Sequence, residues 1–351
     1  MRADHENSLA VRVDGLTKRF GDLTAVDDLS FEVSAGDLFA FLGPNGSGKT
    51  TTIRCLTALD RPDAGTITVA GYRLGAYDDA IRRAIGVVFQ DSLLDPKLTV
   101  RENLLCRAAA YGINSARFRH RLGELEGRIE IADFVDQRYG TLSGGQRRRA
   151  DVARALIHSP RIIFLDEPTS GLDPTARDQV WKTINALRQD HGTTVFLTTH
   201  YLAETEDADD IVLLGKGRMI AHGTPQALRE RFSTSILTIT PAPGVPSAAD
   251  AVRRVLAPWG GGVEVGGGLR VDVDSAATAR GLLAELGENA SDFEFRHGTM
   301  DDVFLSLTDA EPEPRGGERP NSEHTGPAPD PQAQRNAGED TSPATPREET
   351  P

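Results

Sequence analysis

Gly43-Pro44-Asn45-Gly46-Ser47-Gly48-Lys49-Thr50, followed by Thr51, is the stretch best equipped for chemistry. A glycine, four free positions and then Gly-Lys-Thr is the pattern of a loop that cradles phosphates. Gly43, Gly46 and Gly48 let the backbone curl and turn its N–H groups inward, at the positive end of the helix that follows. Lys49 would set a compact charge against the β- and γ-phosphates of a nucleotide, and Thr50 would offer its hydroxyl to Mg²⁺. A second group is Ile162-Ile163-Phe164-Leu165-Asp166-Glu167-Pro168, an apolar strand ending in two acids. Carboxylates beside an apolar core need compensation, and Mg²⁺ would supply it, with Asp166 as the metal-site carboxylate. Glu167, one residue on, faces elsewhere and could orient or deprotonate an attacking water.

Three further residue groups converge on the same chemistry. Thr141-Leu142-Ser143-Gly144-Gly145-Gln146 opens a helix, so its two glycines permit a second close approach to an anion, with Ser143 as a further donor. Gln90 and His200 end two other apolar strands, and the ligand crevice of a parallel sheet lies beyond the carboxyl ends of its strands. Gln90 either points into that crevice or merely closes its strand, and His200 could donate to a γ-phosphate. Phe20, just before the turn at Gly21-Asp22, reads either as core packing or as an aromatic platform for a nucleobase.

The elements that must position these residues follow from hydrophobic period. From about Leu9 to Phe31, apolar and polar residues alternate, as in antiparallel strands exposed on one face. Asp37 to Leu42 is an apolar strand and TTIRCLTALD a helix, so the phosphate loop sits between strand and helix. Residues 91–160 change character: VRENLLCRAAAYGI and RFRHRLGELEGRIEIADFVDQRY carry helical period, which predicts a helical insertion. Ser170-Gly171-Leu172-Asp173-Pro174 is a turn before the helix TARDQVWKTINALRQ. Beyond residue 233, ILTIT, ADAVRRVLA, the glycine-rich hairpin around GGGVEVGGGLRVDV, ATARGLLAELGE and FEF predict a small α/β unit closing with TMDDVFLSLT.

Taken in order, GPNGSGKTT, Gln90, LSGGQ, IIFLDEP, SGLD and His200 resemble the nucleotide-binding domain of an ABC transporter over residues 8–232. That resemblance implies an α/β phosphate-loop NTPase core with an antiparallel β subdomain and a helical insertion. It implies that Phe20 stacks on adenine, that residues 43–51 bind the phosphates of ATP, and that Thr50, Gln90 and Asp166 hold Mg²⁺. Glu167 is implied as general base, with Lys49 and His200 on the phosphates. Ser143, Gly144, Gly145 and Gln146, with Asp173, would meet the ATP of the opposite subunit, so the resemblance implies a homodimer with ATP at its interface. The unit at 233–308, ending in DVFL-LT, is similar to that of bacterial drug-resistance export ATPases of the daunorubicin type, as is LDPKLTVRENL. The expected function is therefore ATP hydrolysis driving efflux of a drug or other hydrophobic compound through a separate membrane permease. The alternative is a soluble or importer-type ABC ATPase acting on another partner.

Composition bounds the rest. The 351 residues carry 39 Lys plus Arg against 52 Asp plus Glu, a net charge of −13, which argues against a nucleic-acid partner held by phosphate contacts. Cys55 and Cys106 make neither a metal-ligand spacing nor a disulfide framework. MRADHENSLA has no apolar core, so no signal peptide is expected, and no stretch approaches the ~18 apolar residues of a membrane span. The expected place is the cytoplasmic face of the membrane, reached through the permease. Residues 309–351 hold nine of the 20 prolines and ten acidic against four basic residues. With no apolar side chain larger than alanine, that tail is expected to be disordered.

Overall fold

The structure, a computed structural model, describes residues 9–309; the expected acidic tail lies, past Asp309, outside the described residues. Three sheets organise the described residues. β1 (Leu9–Phe20), β2 (Leu23–Ser34), β4 (Ala64–Val69) and β5 (Tyr72–Arg73) form an antiparallel sheet of order β2-β1-β4-β5. Its register pairs Val11 with Val33 and Val13 with Phe31, which gathers the apolar residues on one face.

The central sheet has six strands. β3 (Leu38–Leu42), β6 (Ile85–Val88), β7 (Ile162–Asp166), β8 (Thr194–Thr199), β9 (Asp210–Gly215) and β10 (Arg218–Gly223) run in the order β10-β9-β3-β8-β7-β6. All neighbours are parallel except β10, which folds back on β9. β3, β7 and β8 are buried along their whole length, as continuous apolar strands of a two-faced sheet must be.

The period of two divides the two faces. Leu38, Ala40 and Leu42 join the core beneath the helices, whereas Phe39 and Phe41 join the core beneath the antiparallel sheet. There, Phe31 of β2 lies 5.4 Å from Phe39 and 5.0 Å from Phe41, with Phe196 and Phe164 continuing the aromatic cluster. Offset and tilted pairs at such distances contribute beyond their buried area, and they lock the small sheet to the central one.

Helices complete the cassette: α1 (Lys49–Leu56), α2 (Asp78–Ala84), α3 (Val100–Ala110), α4 (Ser115–Arg128), α5 (Gly144–Leu156), α6 (Pro174–His191) and α7 (Pro225–Phe232). The predicted insertion contains α3, α4 and α5. α3 starts with a reciprocal cap in which the Thr99 side chain accepts from Glu102 N and Glu102 accepts from Thr99 N.

The C-terminal unit contains β11 (Ser235–Pro241), α8 (Ala248–Leu256), β12 (Val263–Val265), β13 (Gly268–Val273), α9 (Ala276–Leu286) and β14 (Ala290–Arg296). Its sheet order, β12-β13-β11-β14, is antiparallel throughout, a split βαβ arrangement with its own core. The last helix, α10 (Met300–Asp309), does not stay with that core. Met300 and Val303 are buried in the cassette's helical cluster, with Phe304 and Leu307 packed against it. Positions 300, 303, 304 and 307 share one helical face, and that face lies against α7 and the turn Leu202–Thr205. Thr299 and Asp302 cap its start reciprocally.

Met300→Ala is expected to destabilise the protein by about 2–4 kcal/mol through a cavity in that shared core. A chemical-denaturation midpoint that did not move would place α10 off the cassette.

Candidate functional site

The phosphate loop bridges β3 and α1. Gly46 and Gly48 have φ of 81° and 101°, in the region that favours glycine. Gly43 is held by space: a Cβ there would lie 2.5 Å from Leu214 O and 2.6 Å from Ser47 Oγ. α1 begins with no side-chain cap and no acid in its first turn, so its N-terminal N–H groups and dipole meet no negative side chain of their own helix. Ser47 Oγ is buried with no hydrogen-bond partner among the described residues. A loop with an uncapped helix start and an orphaned hydroxyl fits a bound anion.

Lys49 is 5% exposed, and its ammonium donates to Gly43 O (2.7 Å) and Pro44 O (3.0 Å). Glu167 Oε1 lies 3.7 Å away. Burial pulls the Lys49 pKa below its ordinary value, while Glu167 and Asp166 act in the opposite sense.

At the end of β7, Asp166 is 3% exposed. Its Oδ1 accepts from Thr198 Oγ1 (2.6 Å) and Thr50 Oγ1 (3.3 Å). Thr198 does double duty, because its Oγ1 also accepts from Glu167 N at 3.0 Å. Glu167 has φ 46°, a left-handed backbone that a non-glycine residue adopts at a cost and that is met at active sites. This kink turns its carboxylate from Asp166 toward Lys49 and toward His200, whose Nδ1 lies 3.3 Å from Oε2 without making a hydrogen bond. The His200 ring packs on Tyr201, 4.1 Å between centroids.

These groups open on one cavity of about 770 Å³. Of the expected residues it brings together Phe20, Asn45, Gly46, Gly48, Lys49, Thr50, Thr51, Gln90, Glu167 and His200. Phe20 is 50% exposed at its rim, with Lys18 Nζ 5.2 Å from the ring, so it is no core residue. Gly43, Ser47 and Asp166 are buried and outside its lining, and Pro44 is exposed and outside it. Lys216 and Gly217, at the β9–β10 turn, also line it and were not expected; Gly217 N donates to Ser47 O.

The remaining expected residues lie elsewhere. Ser143 and Gln146 close a capping box at the start of α5, and Asp173 caps α6 by accepting from Ala176 N. Gly144 lines a separate cavity of about 300 Å³ beside the first, and Gly145 is demanded by packing, since a Cβ there would lie 2.8 Å from Ala176 Cβ. Within one chain, the two helix starts expected to meet anions do not share a cavity.

Two residues near the site carried no legible signal. Thr198 is one of many strand threonines, and Arg148 looks like one more charge in RRRADVAR. Yet Arg148 is buried, with all its bonds to backbone carbonyls of the β7 end and its surroundings.

A family model described as ABC transporter matches residues 26–170. The daunorubicin/doxorubicin resistance ATP-binding protein DrrA of Streptomyces peucetius is 39% identical over 306 residues, covering 85% of this chain and 92% of its own. The chain belongs to the ABC transporter family of ATP-binding subunits. The Nod factor export ATP-binding protein I of Ralstonia nicotianae is 37% identical over 305 residues, covering 85% and 94%. Among solved structures, an ATP-binding subunit of an ABC transporter superposes with a TM-score of 0.58 at 30% identity, covering 64% of this chain and 93% of that one. A cassette solved as a dimer after hydrolysis, bound to ADP and Pi, gives 0.55 at 28% identity, covering 61% and 98%. The protein is thus an ABC ATPase that binds and hydrolyses ATP, and ABC cassettes dimerise and work with membrane permeases. Among the described residues no helix is long and apolar enough to cross a membrane.

Thr198→Val would take the shorter of its two hydroxyl partners from the Asp166 carboxylate and the side-chain acceptor from Glu167 N, leaving Thr50 Oγ1 and the Thr198 carbonyl. A stability loss of about 1–3 kcal/mol is expected. ATP affinity should hold within about two-fold while turnover falls at least about ten-fold, as a displaced base would cause. Equal losses in binding and turnover would show that Thr198 supports the loop and not the base.

Proposed function

We propose that this chain is the ATP-hydrolysing subunit of an exporter, working as a homodimer at the cytoplasmic face of the membrane on a separate permease that passes a drug or other hydrophobic compound. The observation that carries the export branch is the extent of the likeness. The 306 positions aligned with a daunorubicin resistance protein run past the cassette into the unit beyond residue 233, whereas the likeness to the solved cassettes covers about two thirds of the chain. The Nod factor export relative of Ralstonia nicotianae shares that longer match.

In this reading Phe20 stacks on adenine and residues 43–51 hold the phosphates, with Lys49 drawn from its loop carbonyls onto the β- and γ-phosphates. Thr50, Gln90 and Asp166 supply hard oxygen donors for Mg²⁺, and the 3.3 Å contact between Thr50 Oγ1 and Asp166 Oδ1 brings two of them to one spot. When bound, Mg²⁺ neutralises charge developing on the transferred phosphoryl group. Glu167 takes a proton from the attacking water, and His200 steadies both that carboxylate and the γ-phosphate. Ser143, Gly144, Gly145 and Gln146, with Asp173, are turned off this pocket, so a second copy must bring them to the nucleotide. ATP then joins the two subunits, and its hydrolysis releases them.

Glu167→Gln is expected to bind ATP with Mg²⁺ and accumulate as a dimer on gel filtration while turnover drops by about 10²-fold or more. Wild-type turnover in that variant would remove Glu167 from its role. Lys49→Ala should lose most nucleotide affinity in a titration, and unchanged binding would unseat the phosphate loop. For the export branch, the test is co-purification of the chain with a multi-span membrane protein whose presence raises its ATPase rate.

A further inference from the structure

Among the described residues β6 is the outermost strand of the central sheet and pairs only with β7, so one row of its carbonyls faces away from the ladder. Side chains from α5 and the residues just after it take that row in steps of two. His158 Nε2 bonds Ile85 O at 2.9 Å, Arg154 Nη2 bonds Val87 O at 2.5 Å, and Arg148 Nη1 bonds Phe89 O at 2.6 Å. Gly86 permits this approach, because a Cβ there would lie 2.4 Å from Ala155 O. The helix that begins with the Ser143–Gln146 segment therefore acts as the missing neighbour of the strand that leads to Gln90.

Arg148 does more than its two companions. Its Nε donates to Pro168 O at 2.7 Å, and its Nη2 donates to Asp166 O and Glu167 O, both at 2.8 Å. One guanidinium, 7% exposed, thus ties the residue before Gln90 to the backbone that carries Asp166 and Glu167, from the helix whose start is meant for the other subunit's nucleotide. A planar fork with several donors suits this better than an ammonium.

We propose that Arg148 is a positioning residue for hydrolysis: it holds Gln90, Asp166 and Glu167 in register with α5, so that seating α5 on the partner's ATP sets the geometry of its own site. This deepens the reading above and rests on its roles for Gln90 and Glu167. Arg148 touches no reacting atom; it acts through Glu167.

The test uses the full chain and compares Arg148→Gln, Arg148→Lys, Arg154→Gln and Glu167→Gln. Arg148→Gln is expected to bind ATP within about three-fold of wild type but to lose about 10²-fold in kcat. Added to Glu167→Gln, it should cost less than its own loss in the wild type, because both act in part through the same carboxylate. Arg154→Gln, which loosens only Val87 O, should lower Tm and leave kcat in place. If Arg148→Gln fails to fold, Arg148→Lys carries the comparison, with ATP affinity kept and kcat still reduced. Near-wild-type kcat in Arg148→Gln, an equal kcat loss in Arg154→Gln, or parallel loss of ATP affinity and kcat in Arg148→Lys would overturn the proposal. Wild-type turnover in Glu167→Gln would instead sink the reading beneath it.

Discussion

Charge held out of water at one edge of an apolar sheet is the constraint on which this structure turns. Lys49, Asp166 and Arg148 are each under a tenth exposed, and Glu167 stands beside them. Isolated burial of any one would cost several kcal/mol. What makes the cluster tolerable is that each group meets a fixed partner. The lysine meets two loop carbonyls, the aspartate two threonine hydroxyls, and the arginine four backbone oxygens. The same fixity makes the site ready to receive a polyanion and a divalent cation, because few groups have to reorganise when they arrive.

The apolar layers exist to hold that edge still. Phe39 and Phe41 bind the antiparallel sheet and Phe20's strand to one face; Leu38, Ala40 and Leu42 bind the helices to the other. Five consecutive buried residues in β3 therefore deliver the loop, while β6, β7 and β8 deliver Gln90, Asp166 with Glu167, and His200 to the same side. The left-handed backbone at Glu167 is the local cost of parting two adjacent carboxylates. Thr198 supports it from the next strand.

The C-terminal unit departs from a simple appendage. It has its own split βαβ core, yet its last helix returns to the cassette and packs on the turn Leu202–Thr205, just after His200. Glu204, in that turn, is buried and accepts from Thr199 and from Thr169, which flank the histidine and the acidic pair. The unit is thereby fastened by apolar contacts to a turn that a buried carboxylate ties to residues flanking the chemistry.

Much of this was legible in the chain. The phosphate loop and the glycine helix start are short-range patterns set by backbone freedom, the acids ending an apolar run by the cost of charge there, and Gln90 and His200 by their place at strand ends. The place of Phe20 was open on local sequence, since a phenyl ring fits a core as well as a rim, and its exposure puts it at the rim. Arg148 and Thr198 were beyond reach for a different reason. Their partners are backbone carbonyls and amides, which every residue possesses, so no residue type marks them. The course of α10 belongs to the same class: its period shows that one face must be buried, but only the packed chain determines against what. Sequence alone determined which groups could do the chemistry; tertiary structure decided which of them share a cavity in one subunit, because that depends on strand order and helix packing across a hundred or more residues.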